Sequence, residues 1–156
     1  MPWIENIAAA DVPLRYHYEP GPNSMLIQIM DPAGWFPTPA HDFKEVHRFE
    51  FLDADDDDGF PEEAKISDSQ AQEIAQLLQH ALVNRMNVIV HCYAGLCRSG
   101  AVAEVGVTLG FQDTGRTRIP NLRVKHKLMQ ALNLAYDVSE RPYTIQEQIN
   151  LLGDSR

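Results

Sequence analysis

The stretch Val88-Ile89-Val90-His91-Cys92-Tyr93-Ala94-Gly95-Leu96-Cys97-Arg98-Ser99-Gly100 holds residue types that can do covalent chemistry on an oxyanion. An apolar, β-branched run ends at His91, and an apolar helical pattern opens near Arg98. A short loop with a cysteine at its head lies between them. The backbone amides of such a loop, residues Tyr93, Ala94, Gly95, Leu96, Cys97 and Arg98, can point inward as an anion-binding nest, reinforced by the helix N-terminus. Gly95 permits a turn that a side chain could block. Arg98 can grip two phosphate oxygens with its planar fork. The same positive field favours a thiolate at Cys92 and arms it as a nucleophile. The Ser99 hydroxyl is placed to stabilise that thiolate when it leaves.

The rest of the chain limits what this loop can serve. It has 156 residues, 44% of them apolar and 22% charged, which suits one soluble globular domain spanning 1–156. Thirteen Lys and Arg stand against 22 Asp and Glu, a net charge of −9. That balance argues against nucleic acid or an anionic membrane as the main partner. Two cysteines are too few for a disulfide scaffold or a four-cysteine zinc site. No apolar run approaches the roughly 20 residues of a membrane helix. The first residues lack the features of a signal peptide, so the cytoplasm is the expected location. Oligomeric state is not readable.

The elements that must position the loop follow from periodicity. Residues 1–24 are polar and proline-dotted, with one strand expected around Leu14–Tyr18. Met25–Met30 reads as a buried strand. Asp31–Ala40 holds three prolines and Gly34, hence a loop. Val46–Leu52 alternates, with Phe49 and Phe51 on one face. Asp53–Lys65 is an acidic loop. Asp68 or Ser69 is expected to cap a helix to about Val83, with Ile74, Leu77, Leu78, Ala81 and Leu82 as its apolar stripe. Val88–Val90 is a strand, and Ser99–Leu109 a helix. Leu122–Tyr136 and Thr144–Leu152 read as two more helices. Strands alternating with helices imply an α/β domain whose central, mostly parallel sheet is flanked by helices. Trp35 and Phe36 read as packing residues of the proline-rich loop.

The loop resembles the signature of the cysteine-dependent protein phosphatases, His-Cys-x5-Arg-Ser/Thr. Within that superfamily it looks most like the small dual-specificity and the phage or bacterial tyrosine-phosphatase-like proteins. His91, Cys92, Gly95, Arg98 and Ser99 match, as does the apolar strand before them. Phe51-Leu52-Asp53-Ala54-Asp55 looks like the segment carrying that family's general-acid aspartate; Asp53 stands 39 positions before Cys92. Ile119-Pro120-Asn121 is similar to the Pro-Asn segment that opens a late helix. The likeness covers roughly residues 45–135, and the N-terminal segment, 1–24 above all, matches loosely.

The resemblance implies a dual-specificity phosphatase-like fold and a phosphomonoester hydrolase working through phosphocysteine. Cys92 attacks phosphorus. Arg98 and the loop amides hold the equatorial oxygens. Asp53, with Asp55 as the second candidate, protonates the leaving oxygen and then activates water. His91 and Asn121 are implied as supporting residues. No cofactor and no metal is implied. The implied partner is a phosphorylated protein, carrying phosphotyrosine or also phosphoserine and phosphothreonine.

Cys97 adds a likeness to low-molecular-weight tyrosine phosphatases and arsenate reductases, in which a second loop cysteine forms a reversible disulfide with the nucleophile. Its other reading is a small apolar filler. Arg116, Arg118, Arg123, Lys125 and Lys127 form either a solvated face or a basic rim that draws anions inward. An arsenate reductase needs cysteines beyond Cys97, and none exists. A rhodanese-type loop usually lacks the Arg-Ser pair. A catalytically inactive phosphate-binding module generally loses the cysteine, the arginine or the aspartate, and all three have candidates here.

Overall fold

In a computed structural model, which describes residues 1–154, five strands form one sheet: β1 (Trp3–Ala8), β2 (Ser24–Met30), β3 (Glu45–Glu50), β4 (Asn87–Cys92) and β5 (Gln112–Asp113). Their order across the sheet is β3-β2-β4-β1-β5, and every pairing is parallel. Four helices accompany them: α1 (Asp68–Val83), α2 (Arg98–Leu109), α3 (Leu122–Ala131) and α4 (Ile145–Asp154). Among the described residues no helix is long and apolar enough to cross a membrane.

Parallel strands are normally buried on both faces, and β2 is buried at all of its positions. Side chains alternate across the sheet. Ile4, Met25, Ile27, Ile29, Val88, Val90 and Cys92 share one core with residues of α1, α2 and α3. Ile7, Leu26 and Ile89 point the other way and share a smaller core with Val12 and Tyr18, backed by Trp3 and Phe43. Thus those three helices lie on one face, and irregular chain covers the other.

That cover corrects the expected strand at Leu14–Tyr18. The strand lies at Trp3–Ala8, and Arg15–His17 is a single 3-10 turn. Val12 and Tyr18 are buried while Leu14 and Tyr16 face solvent, and the Tyr18 hydroxyl donates to the Val12 carbonyl at 2.7 Å. The segment is an arch over the sheet, which alternation alone imitates. Smaller differences lie at helix ends. Ser67, not Asp68 or Ser69, caps α1 in a reciprocal box with Gln70. Helix α3 stops at Ala131 rather than Tyr136, because Asn133 takes a left-handed conformation at φ 60°. Trp35 is 63% exposed and so is not packed, whereas Phe36 lies under the Arg48 guanidinium at 5.2 Å.

Because every strand runs the same way, their C-terminal ends open on one edge of the sheet. Ala8, Met30, Glu50 and Cys92 all finish there, and in open parallel sheets ligands bind at that edge.

Candidate active site

Cys92 is the last residue of β4 and is buried. The chain then loops through residues 93–97 and enters α2 at Arg98. What faces the middle of the loop follows from where its carbonyls go. The Tyr93 carbonyl accepts from Ala9 N–H at 3.1 Å, and that of Leu96 from Ile119 N–H at 2.9 Å. The Cys97 carbonyl accepts from Ala101 and Asn121 N–H. The Gly95 carbonyl accepts from Asn6 Nδ2 at 2.8 Å. A planar trans peptide points its C=O and N–H in opposite directions. Carbonyls tied to the surrounding frame therefore turn the N–H groups of Ala94, Leu96, Cys97 and Arg98 to the concave side, where the α2 N-terminus adds its positive end.

Gly95 sits at φ 75°, and a Cβ there would lie 2.4 Å from the Ile7 carbonyl carbon. The loop can pack on β1 only because this position has no side chain. Asn6, 3% exposed, staples the loop from β1, donating also to the Thr117 carbonyl at 3.0 Å. Sequence reasoning missed Asn6 with its strand. The available signal was a polar residue between Ile4 and Ile7.

Ser99, fully buried, places Oγ 3.1 Å from Cys92 Sγ. Arg98 is buried as well. Its Nη1 donates to Asp31 Oδ1 at 2.7 Å and to the Phe51 carbonyl at 2.8 Å. Asp31 is the second residue the sequence reading missed; its signal was a carboxylate at the C-terminal end of a buried strand.

The structure brings Asp53 to the loop. Its Oδ1 accepts from Asn121 Nδ2 at 2.8 Å, and the same amide donates to the Ala54 carbonyl. Asn121 in turn caps α3 through Val124 N–H and ties its backbone to Cys97. The Asp53 carboxylate lies near enough to the Cys97 thiol for its charge to act on it. Burial first, and then the Asp53 charge, push that thiol up to about 12. Both cysteines are free, and a thiol held protonated at neutral pH is a slow resolving nucleophile. Asp55 also has its carboxyl raised above the ordinary range, first by burial and then by Asp53, Asp58 and Asp56. Tyr93 and Ala94 lie exposed at the mouth; Leu96 and Cys97 are half-buried.

The five basic residues of 116–127 do not form a free rim. Arg116 pairs with Glu5, Arg118 with Asp113, Arg123 with Asp56, Lys125 with Glu140 and Lys127 with Asp68. Their charge is spent locally, so little of it remains to draw an anion.

His91 is fully buried, its Nδ1 donating to the Cys92 carbonyl at 3.3 Å while Nε2 has no partner. Burial, aided by the Arg98 charge, lowers its pKa to about 4. The ring is thus a neutral strut beneath the loop, not a base. Between about pH 4 and 6.5 the unfolded chain takes up a proton that the folded ring refuses. Stability therefore rises with pH across that window and is complete above it, a swing of about 3 kcal/mol. Urea midpoints measured from pH 7 down to 4 should show this slope, and His91→Gln should flatten it.

The central parallel five-stranded sheet with its helices is a dual-specificity phosphatase-like fold. Human DUSP28 matches with a TM-score of 0.53 at 13% identity, over 89% of this chain and 85% of that one. OH1 from the Orf virus, described as a tyrosine phosphatase with triple substrate specificity, is 14% identical with a TM-score of 0.44, over 85% and 70% of the two chains. The active form of Tk-PTP is 14% identical with a TM-score of 0.41, over 99% and 91%. No family model and no curated protein matches the chain.

Proposed function

We propose that the protein is a cysteine-dependent phosphomonoester hydrolase acting on phosphorylated protein, phosphotyrosine first. The observation that carries this reading is the arrangement around Cys92. A buried cysteine heads a ring of inward amides, with Arg98 closing one side and a serine hydroxyl 3.1 Å from the sulfur. In this scheme the Cys92 thiolate attacks phosphorus and the P–O ester bond breaks. The leaving oxygen takes a proton from Asp53. The loop amides and Arg98 balance charge on the three equatorial oxygens, a largely electrostatic contribution. Asp53 then removes a proton from water as it attacks the phosphocysteine. Phosphate leaves and the thiolate returns, stabilised by Ser99.

Hydrolysis of para-nitrophenyl phosphate in the presence of EDTA, inhibited by vanadate, is the test. An inactive protein overturns the proposal and leaves a phosphate-binding module.

Asp53 is preferred to Asp55 because its carboxylate accepts from Asn121, whose backbone N–H bonds the Cys97 carbonyl of the loop, and because its charge acts on the Cys97 thiol. Asp55 is favoured by its raised carboxyl, a property that suits an acid near neutrality. The two are separable by leaving group. Asp53→Asn should slow phenyl phosphate turnover about a hundredfold and para-nitrophenyl phosphate far less, since nitrophenolate departs with little protonation. Equal turnover of phenyl phosphate by Asp53→Asn and wild type would pass the role to Asp55.

A further inference from the structure

Seven of the eleven residues 53–63 are acidic, and a run of like charges left to itself repels and spreads into solvent. Here two buried cations gather it. The Lys65 side chain is 2% exposed. Its Nζ lies 3.2 Å from Asp58 Oδ1 and 3.5 Å from Glu62 Oε1, and donates to the Asp56 carbonyl at 3.1 Å. The Arg123 side chain, from the first turn of α3, is 9% exposed. Its Nη1 donates to Asp56 Oδ1 at 2.6 Å. Its Nη2 donates to the Ile66 carbonyl at 3.0 Å and pairs with Glu62 Oε2 at 3.1 Å.

The segment also folds on itself. Asp58 accepts from Asp55 N–H at 2.5 Å and from Phe60 N–H at 3.1 Å, and Leu52 N–H donates to the Ala64 carbonyl at 2.8 Å to close its base. The start of α3 thus grips this segment at two places. Asn121 holds Asp53 and the Ala54 carbonyl, and Arg123, two residues on, holds positions 56, 62 and 66. Taking two cations out of water has a desolvation cost that ion pairing only roughly offsets. The arrangement is therefore better explained by the position it enforces than by the stability it adds. The catalytic candidate carried by the segment is Asp53.

We infer that Arg123 is a positioning residue for the general acid, pinning the acidic segment to α3 so that Asp53 stands over the loop before any substrate arrives. Lys65 is the second pin, and the aspartates after Asp53 are the counter-charges these two cations hold. The inference deepens the phosphatase reading and rests on it for the acid role of Asp53. Arg123 binds no substrate in this role, since its side-chain partners Asp56, Glu62 and Ile66 all lie between β3 and α1. Released from Arg123, the segment keeps Asn121 as its tie to α3 and can tilt about it, moving the Asp53 carboxyl off the leaving oxygen.

The test compares two leaving groups. Arg123→Ala should lower kcat for phenyl phosphate about tenfold and leave para-nitrophenyl phosphate within about twofold, the pattern of a displaced acid. In an Asp53→Asn background the same substitution should slow phenyl phosphate no further, because its effect runs through Asp53. Asp56→Ala removes an anchor from the solvent side, where the residue's 71% exposure leaves little packing to lose, and should repeat the pattern at about threefold. Lys127→Ala, which cuts the pair between α3 and Asp68 of α1, is the structural control and should leave both substrates unaffected. Hydrogen exchange gives a readout that needs no turnover. In Arg123→Ala the Asp55 and Phe60 amides should exchange about tenfold faster, with the Val124 amide unchanged. An unimpaired Arg123→Ala overturns the inference. So does an equal loss on both substrates, or a loss that adds to that of Asp53→Asn. If the wild type hydrolyses no phosphomonoester, the phosphatase reading falls alone, and exchange at residues 55 and 60 still decides whether Arg123 pins the segment.

Discussion

Cys92→Ser should abolish turnover while the chain still binds an oxyanion. Cys92 is buried at the end of β4, and a hydroxyl fits the space the thiol occupied. None of the contacts that shape the loop involves its sulfur except the one to Ser99. The carbonyls of Tyr93, Gly95, Leu96 and Cys97 keep their partners, so the amides keep their direction. Arg98 keeps Asp31 and the Phe51 carbonyl. The loss is confined to nucleophilicity, because a serine hydroxyl without an adjacent base is a poor attacking group, and His91 lies beneath the loop rather than beside the hydroxyl. Removing an enzyme's sole nucleophile costs at least about 10⁴-fold in kcat. Para-nitrophenyl phosphate turnover should fall to background, and tungstate should still bind in calorimetry. A Cys92→Ser protein that turns over substrate near the wild-type rate would remove phosphocysteine from the scheme.

The loop was legible in the sequence because its chemistry and its local structure are written in adjacent residues. A β-branched strand, a cysteine, a glycine and an arginine opening a helix lie within one stretch, and each constrains the backbone directly. Strands β2 and β4 were legible for the same reason: a buried parallel strand is a short apolar run, and each carries one. Strand β1 was not, because Glu5 and Asn6 interrupt its apolar pattern. Asn6 is there to hold the loop, so local consistency was given up at a position that supports the site. Asp31 was hidden differently. Its partner Arg98 is 67 residues away, and only the parallel sheet brings the ends of β2 and β4 side by side. The same sheet brings Asp53, three residues beyond the end of β3, toward Cys97 and Asn121, a convergence the sequence reading reached only through family resemblance. The basic cluster at 116–127 misled in the opposite sense: sequence shows the cations together but not the acids that neutralise them, which come from residues 5, 56, 68, 113 and 140.

Gly95→Ala should damage both activity and stability, for two separable reasons. The first is conformational. At φ 75° a side-chain-bearing residue loses about 1–2 kcal/mol relative to glycine. The second is contact. The new Cβ would lie 2.4 Å from Ile7 C, 2.5 Å from Ala8 N and 2.7 Å from Ile7 O. These are backbone atoms of β1, and β1 cannot retreat, because Ile7 and Ala8 are in register with His91 and Cys92 on β4. The loop must move instead. Movement lengthens the Asn6–Gly95 hydrogen bond and tilts the amides on either side of residue 95. Overpacking of this kind adds about 1–3 kcal/mol, giving a total of about 2–5 kcal/mol and a fall in Tm of about 10 °C. Displacing oxyanion donors by about 1 Å costs roughly a hundredfold in rate. Gly21→Ala supplies the control. Gly21 sits at φ 78° with nothing within 4 Å of its Cβ position, so it carries the conformational penalty without the clash. It precedes β2, at the opposite edge of the sheet from the site. Its Tm should drop by a few degrees with kcat unchanged. A Gly95→Ala protein that resembles Gly21→Ala in both measurements would show that the loop tolerates displacement, and the amides of residues 94–98 would then lose their place as the oxyanion cradle.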